Sequence, residues 1–194
     1  MSLARFSQAC ENNKQPIIEQ LKVYFSTLSK VLEIGSGTGQ HAVYFAPELA
    51  HLSWHTSDRV NNHDSINAWL AQYPSANLYP PLEFNVGVNP WPLNDVDGVF
   101  TANTAHIMQP DEVELMMSLV AQSLPSGGVM CQYGPFTFDG RFTSDSNRAF
   151  DAQLRAQGYG GLVDVSSLKK WASPMKLAEC IDMPANNQLL VWRN

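Results

Sequence analysis

Cysteine is sparse and scattered: three residues in 194, Cys10, Cys131 and Cys180, with no CxxC pair. An odd, dispersed set argues against a disulfide framework or a zinc knuckle and fits a reducing, cytoplasmic compartment. Charge is scarce too, at 15% of residues, and its balance is acidic: 12 Lys and Arg against 18 Asp and Glu, a formal net charge of −6. Binding along a duplex needs a concentrated basic patch, and none is visible, so no nucleic-acid partner is expected. Long apolar runs are missing as well. Lys14, Lys22 and Lys30 interrupt the N-terminal apolar residues, so no signal peptide is expected. No stretch of roughly 18 apolar residues suggests a membrane span. Repeats and low-complexity tracts are absent. What is there is a 44% hydrophobic composition, enough for a packed core. A single domain over residues 1–194 is expected; its oligomeric state is not legible.

Periodicity orders the elements. Residues 13–28 place Ile17, Ile18, Leu21, Tyr24, Phe25 and Leu28 on one helical face, with Pro16 suited to a first turn. A strand at 30–34 ends in glycines, a helix follows over 40–49, and a second strand at 52–57 closes at Asp58. The spacing then predicts a helix over 64–72, a strand over 79–86, a strand over 97–102, a helix over 110–124 and a strand over 129–133. Alternating strands and helices imply a parallel, doubly wound α/β sheet of Rossmann-like type. Past residue 160 the pattern changes: a short helix at 166–171, then strands at 176–181 and 188–192 joined by the turn MPANN (183–187). Strands joined so closely run antiparallel. Five parallel strands completed by an antiparallel hairpin, seven in all, resemble class I methyltransferases and not dehydrogenases.

The glycine stretch VLEIGSGTG (31–39) follows a strand and precedes a helix, where a doubly wound fold holds its ligand. A nicotinamide fingerprint wants glycine at 35, 37 and 40, but position 40 is Gln. The spacing of Glu33, Gly35, Gly37 and Gly39 instead resembles the first motif of S-adenosylmethionine (SAM) methyltransferases. In that motif the loop wraps the methionine and ribose portions, and the acidic residue meets the amino-acid end of the cofactor directly or through water. Asp58 stands about twenty residues on, the offset at which a carboxylate meets a ribose diol. Asn85, at the end of the third strand, carries a carboxamide able both to accept from and to donate to adenine. Asn103, after the fourth strand, faces the same crevice.

A wider set of stretches resembles one family of class I methyltransferases, long known as a domain of unknown function, whose animal member is called methyltransferase-like twenty-six. The matching residues are 9–21 (ACENNKQPIIEQL), 31–45 (VLEIGSGTGQHAVYF), 54–58, Trp91-Pro92, 103–107 (NTAHI), 133–136 (YGPF), Ser146-Asn147 with Phe150-Asp151, and 183–187 (MPANN). The resemblance covers nearly the whole chain. It implies the fold and SAM as cofactor, and no particular substrate. It also implies Asp for the adenine contact, where this chain has Asn85.

Methyl transfer needs a positioned nucleophile and, for many substrates, removal of a proton. His106, in NTAHI, is the candidate base near neutral pH, or else a strut that holds the loop. Tyr133 is a candidate for bonding the substrate or for packing beneath the loop. Asn147, Asn186 and Asn187 form a candidate polar wall for the substrate, or cap chain ends. An exocyclic-amine DNA methyltransferase would carry an Asp/Asn-Pro-Pro-aromatic motif where residues 103–106 read NTAH. No metal is expected: His51 and His55 fall about 13 Å apart along a strand, too far to share one ion. The expected activity is methyl transfer from SAM to a small molecule or a protein side chain. The alternative is a non-catalytic module of the same fold that holds SAM or S-adenosylhomocysteine (SAH).

Overall fold

Strands buried on both faces build the centre of the molecule. The computed structural model describes residues 4–194. Its chain runs α1 (Gln8–Tyr24), β1 (Lys30–Ile34), α2 (Gln40–Glu48), β2 (Ser53–Asp58), α3 (Val60–Gln72), β3 (Leu78–Glu83), β4 (Gly98–Ala102) and α4 (Pro110–Ser123). It continues through β5 (Val129–Gly134), β6 (Thr137–Phe138), β7 (Arg141–Phe142), α5 (Asp145–Ala156), α6 (Val165–Trp171), β8 (Lys176–Met183) and β9 (Asn187–Arg193), with a 3₁₀ turn at Pro184–Asn186. The main sheet has seven strands in the order β3-β2-β1-β4-β5-β9-β8. The first five are parallel, and β9 runs antiparallel to both β5 and β8.

Neighbouring residues along the central strands serve opposite faces, as the two-residue period requires. Leu32, Val99, Met130 and Leu190 pack under α4 and α6, with Met116, Met117, Val120 and Leu168. Val31, Phe100, Cys131 and Val191 pack against α1 and α2, with Ile17, Leu21 and Phe45. Each fully buried side chain of this kind contributes on the order of 1.5–3 kcal/mol. β3 lies at one edge, and an edge position tolerates its Pro80-Pro81, which offer no N–H to a neighbour. The other edge, β8, exposes Lys176, Glu179 and Asp182, charges that discourage edge-to-edge pairing. Among the described residues no helix is long and apolar enough to cross a membrane.

Several boundaries depart from the sequence reading. Helix α1 starts at Gln8, so Pro16 lies in mid-helix and not in the first turn. Long-range bonds hold the early turns: Gln40 Oε1 accepts from the Ser7 backbone N–H (2.6 Å), and Gln40 Nε2 donates to Glu11 Oε1 (2.8 Å). Helix α3 begins at Val60, four residues before its expected start at 64. Strand β3 ends at Glu83, which leaves Asn85 in the loop beyond it. The ribbon β6–β7 and helix α5 were not anticipated. The residues α5 buries are Asn147, Asp151 and Leu154, so its inner face carries little apolar signal.

Candidate active site

The parallel strands end on one side of the sheet, and the loops beyond them surround a cavity of about 740 Å³. Its floor is the turn after β1. The N–H groups of Gly35 and Ser36 both donate to the Ser57 carbonyl, at 3.0 Å each, which ties the turn to the end of β2. Gly35 and Gly39 have φ of +74° and +97°. A Cβ on Gly35 would stand 2.7 Å from Thr104 Oγ1, and one on Gly39 3.0 Å from Ile66 Cα. Gly35 thus lets the β4 loop close over the turn, whereas Gly39 lets α3 lie against the start of α2. Gly39→Ala adds a left-handed penalty of roughly 1–2 kcal/mol to a clash with backbone. It is expected to destabilise folding by about 2–4 kcal/mol in denaturant titration. A loss under about 0.5 kcal/mol would contradict this packing role.

Asp58 organises the wall beside that turn. Its Oδ2 accepts the Gly37 N–H at 2.7 Å, and its Oδ1 accepts the Arg59 N–H and Asn62 Nδ2, each at 2.7 Å. The carboxylate sits at the N-terminus of α3, where negative charge is favoured. Two carboxylate oxygens offer about four acceptor positions. Three are taken, which leaves one open on Oδ2.

Of the sequence-predicted residues, Gly35, Gly37, Asp58, Asn85, Asn103, His106, Tyr133, Asn147 and Asn187 line the cavity. Glu33, Gly39 and Asn186 do not. Glu33 is buried behind the turn, its carboxylate accepting Trp54 Nε1–H at 3.1 Å. Burial pushes its carboxyl up to about 7, against opposing bonds from Trp54 and Ser36, and the Asp58 charge adds to the rise. Asn186 instead braces the hairpin turn: its carbonyl accepts Asn147 Nδ2 at 2.8 Å, joining α5 to the turn between β8 and β9. Asn147 also donates to Thr143 Oγ1 (2.8 Å), and Asn187 Nδ2 donates to the Pro184 carbonyl (3.1 Å). The asparagine trio therefore holds chain turns together, with Asn147 and Asn187 on the wall.

His106 is buried, and burial pulls its imidazole down to about 4. The sequence reading placed its titration near neutrality; the apolar surroundings penalise the charged form and move it. Its ring meets Phe150 edge-on, with centroids 5.4 Å apart, and its carbonyl accepts the Gly161 N–H. It is neutral at pH 7, a hydrogen-bonding group more than a strong base.

Other lining residues were missed. His41 Nε2 bonds Asn13 Oδ1 at 2.7 Å, and the ring stacks on Phe45. Burial drives this imidazole down to about 4. Burial also raises the Tyr133 phenol, while a hydrogen bond from the Asn13 side chain pulls the other way. Asn13 lies in the stretch 9–21 already singled out, but its link to Tyr133 needs the packing of α1 on β5. Phe84 and Phe150, also on the wall, sit in a loop and in the unanticipated helix.

Solved structures share this architecture. An O-methyltransferase family 2 protein from Planctomyces limnophilus, in complex with apigenin, superposes with a TM-score of 0.81 at 14% identity, covering 95% of this chain and 57% of its own. The S-adenosylmethionine-dependent methyltransferase SibL gives 0.77 at 15%, covering 96% and 55%. Human N-acetylserotonin methyltransferase in complex with SAM gives 0.73 at 12%, covering 93% and 54%. The chain therefore spans a little over half the length of these proteins, and the likeness establishes the class I methyltransferase fold. Residues 4–194 match the model of a family described as proteins of unknown function, DUF938, and the chain belongs to that family.

Proposed function

We propose that residues 1–194 form one SAM-dependent methyltransferase unit, acting in the cytoplasm on a small molecule and related to the animal protein methyltransferase-like twenty-six. The observation that carries this reading is one cavity shared by the glycine turn, the Asp58 carboxylate and the loops after β4 and β5. Asp58 would hold a ribose hydroxyl through the open position on Oδ2. Phe84 and Asn85 would hold adenine, and Gly35, Gly37 and Asn103 the methionine end. When bound, SAM supplies an electrophilic methyl: the acceptor's lone pair forms the new bond as the carbon–sulfur electrons return to sulfur. The other roles belong to this chain. His106 accepts a hydrogen bond from the acceptor's X–H, Tyr133 offers a phenol to orient the acceptor, and the apolar wall excludes water. The small-molecule choice is supported by the likeness to an O-methyltransferase family protein in complex with apigenin and to one named N-acetylserotonin methyltransferase.

The second reading, a module that binds SAM or SAH without catalysis, is favoured by the weak basicity of both wall imidazoles. Incubation with methyl-labelled SAM and a small-molecule extract separates the two: label recovered in an extract compound supports catalysis, and none supports the module. His106→Ala is expected to leave SAM affinity within about twofold and to lower single-turnover rate by roughly tenfold, the loss of one hydrogen bond. Activity should be flat from neutral to alkaline pH and fall only as pH approaches 4, where the imidazole gains its proton. Unchanged turnover with a lower melting temperature would make His106 a strut.

A further inference from the structure

One stretch of the cavity wall has no part in the roles above. Ser7, Ala9, Cys10, Asn12 and Asn13, from the start of α1, line the cavity together with the glycine turn. Residues 5–12 include no buried side chain, and Phe6 is 62% exposed. The first buried residue of the helix is Asn13, and its first core residues are Ile17 and Ile18. Apolar burial therefore fixes the later turns of α1, and the segment before Asn13 is held by polar bonds.

Those bonds reach the glycine turn, the start of α2 and the early turns of α3. The Arg5 backbone N–H donates to Ser65 Oγ at 3.0 Å, and the Arg5 carbonyl accepts the Trp69 indole N–H at 2.8 Å. The Arg5 guanidinium donates to Asn62 Oδ1 at 2.5 Å and reaches the Gly37 carbonyl at 3.5 Å. Asn62 in turn donates to Asp58. Gln40 holds Ser7 and Glu11, and Glu11 also pairs with Lys14 within the helix. The ladder of α1 is broken at the end of this segment. Pro16 has no N–H to give the Asn12 carbonyl, and its ring crowds that carbonyl. Asn13, just past the break, is fixed by His41 at 2.7 Å. A segment with exposed polar bonds, few buried apolar contacts and a missing rung at its root opens at low free energy.

We propose that residues 5–12 are a strap across the cofactor site, closed in this structure and hinged at the break before Asn13, whose opening lets SAM in and SAH out. The proposal rests on the SAM reading above. A cofactor in the cavity would touch Ser7, Ala9, Cys10 and Asn12 as well as the glycine turn. Only the closed strap supplies the first set of contacts, so the cofactor favours closure. Entry and release then share one gate: a change that loosens the strap speeds both, and one that stiffens it slows both. Affinity moves little, because the strap is closed with and without ligand and such a change acts on both states alike.

Surface plasmon resonance of the full chain with SAH, together with hydrogen exchange, tests this. In the wild-type protein SAH should slow amide exchange over residues 5–12 tenfold or more, and the NMR signal of the Trp69 indole N–H should move on SAH addition. Arg5→Ala removes the bonds to Asn62 and Gly37, and should speed association and dissociation together, threefold or more. Pro16→Ala restores the missing rung and should slow both rates threefold or more. The dissociation constant should stay within threefold in each variant. Damage to the site alone would instead change one rate and the affinity with it. Unchanged rates in both variants, a change confined to one of the two rates, or exchange over 5–12 that SAH leaves as it was would overturn the strap and leave the cofactor reading standing. Failure of SAH to bind the wild-type protein would bring down both.

Discussion

Asp58→Ala is expected to weaken SAM binding by roughly ten- to a hundredfold, equivalent to about 1.5–3 kcal/mol for a lost charge-assisted bond. The side chain has two jobs, and the substitution removes both. It carries the open acceptor position that the proposed SAM site assigns to a ribose hydroxyl, and it holds the glycine turn through the Gly37 N–H at 2.7 Å. It also accepts from Arg59 and Asn62, so its loss frees two donors at the start of α3 besides the one in the turn. Asp58→Asn should do nearly as much damage, because one of its atoms becomes a donor facing other donors. Calorimetry gives the affinity and thermal melting the stability. A dissociation constant unchanged within twofold in both variants would remove Asp58 from the cofactor site.

Glu33→Gln should stabilise the protein at pH 8 by about 2–3 kcal/mol, which for a chain of this size raises the melting temperature by several degrees. Burial raises the folded carboxyl from its ordinary 4.5 to about 7. Below pH 4.5 the group is protonated in both states. Between 4.5 and 7 the unfolded chain ionises while the folded one keeps its proton, so stability falls as pH rises; above 7 the full penalty persists. Glutamine removes the ionisation and keeps an oxygen for the Trp54 indole N–H. The advantage of the variant should therefore shrink towards zero near pH 4.5, as melting curves across pH would record. SAM affinity should change less than threefold, because Glu33 lies behind the turn. A tenfold loss of affinity would return Glu33 to the cofactor, its role in the sequence motif.

The residues that were legible in the sequence are those whose meaning is local. Glycines between a strand and a helix, and an acidic residue at the next strand end, mark the ligand edge of a doubly wound sheet wherever they occur. The antiparallel hairpin was legible for the same reason: two strands joined by a turn as short as MPANN must run antiparallel. What could not be read depends on contacts across the chain. Gly37 and Gly39 look alike in the motif, but Gly39 is set by α3 crossing at Ile66 and Gly37 by the open cavity. The early start of α1 depends on Gln40, far along the sequence. Helix α5 turns Asn147 and Asp151 inward, where Asp151 Oδ1 accepts the Leu162 N–H at 2.7 Å, so polar residues stand where an amphipathic pattern needs apolar ones. The asparagine wall followed from that helix and was read only in part. His106 was found by its place after β4, but its protonation was set by burial that sequence spacing does not report.

The central claim is that the cavity over the glycine turn is a SAM site. Isothermal calorimetry of the purified chain with SAM, SAH and NAD tests it most directly. The account predicts saturable one-to-one binding of SAM and SAH, none of NAD, and a melting temperature that rises with SAM as RT ln(1 + [L]/Kd), about 2.7 kcal/mol at a hundredfold excess. Absence of SAM and SAH binding in a folded sample, or tighter binding of NAD, would contradict it.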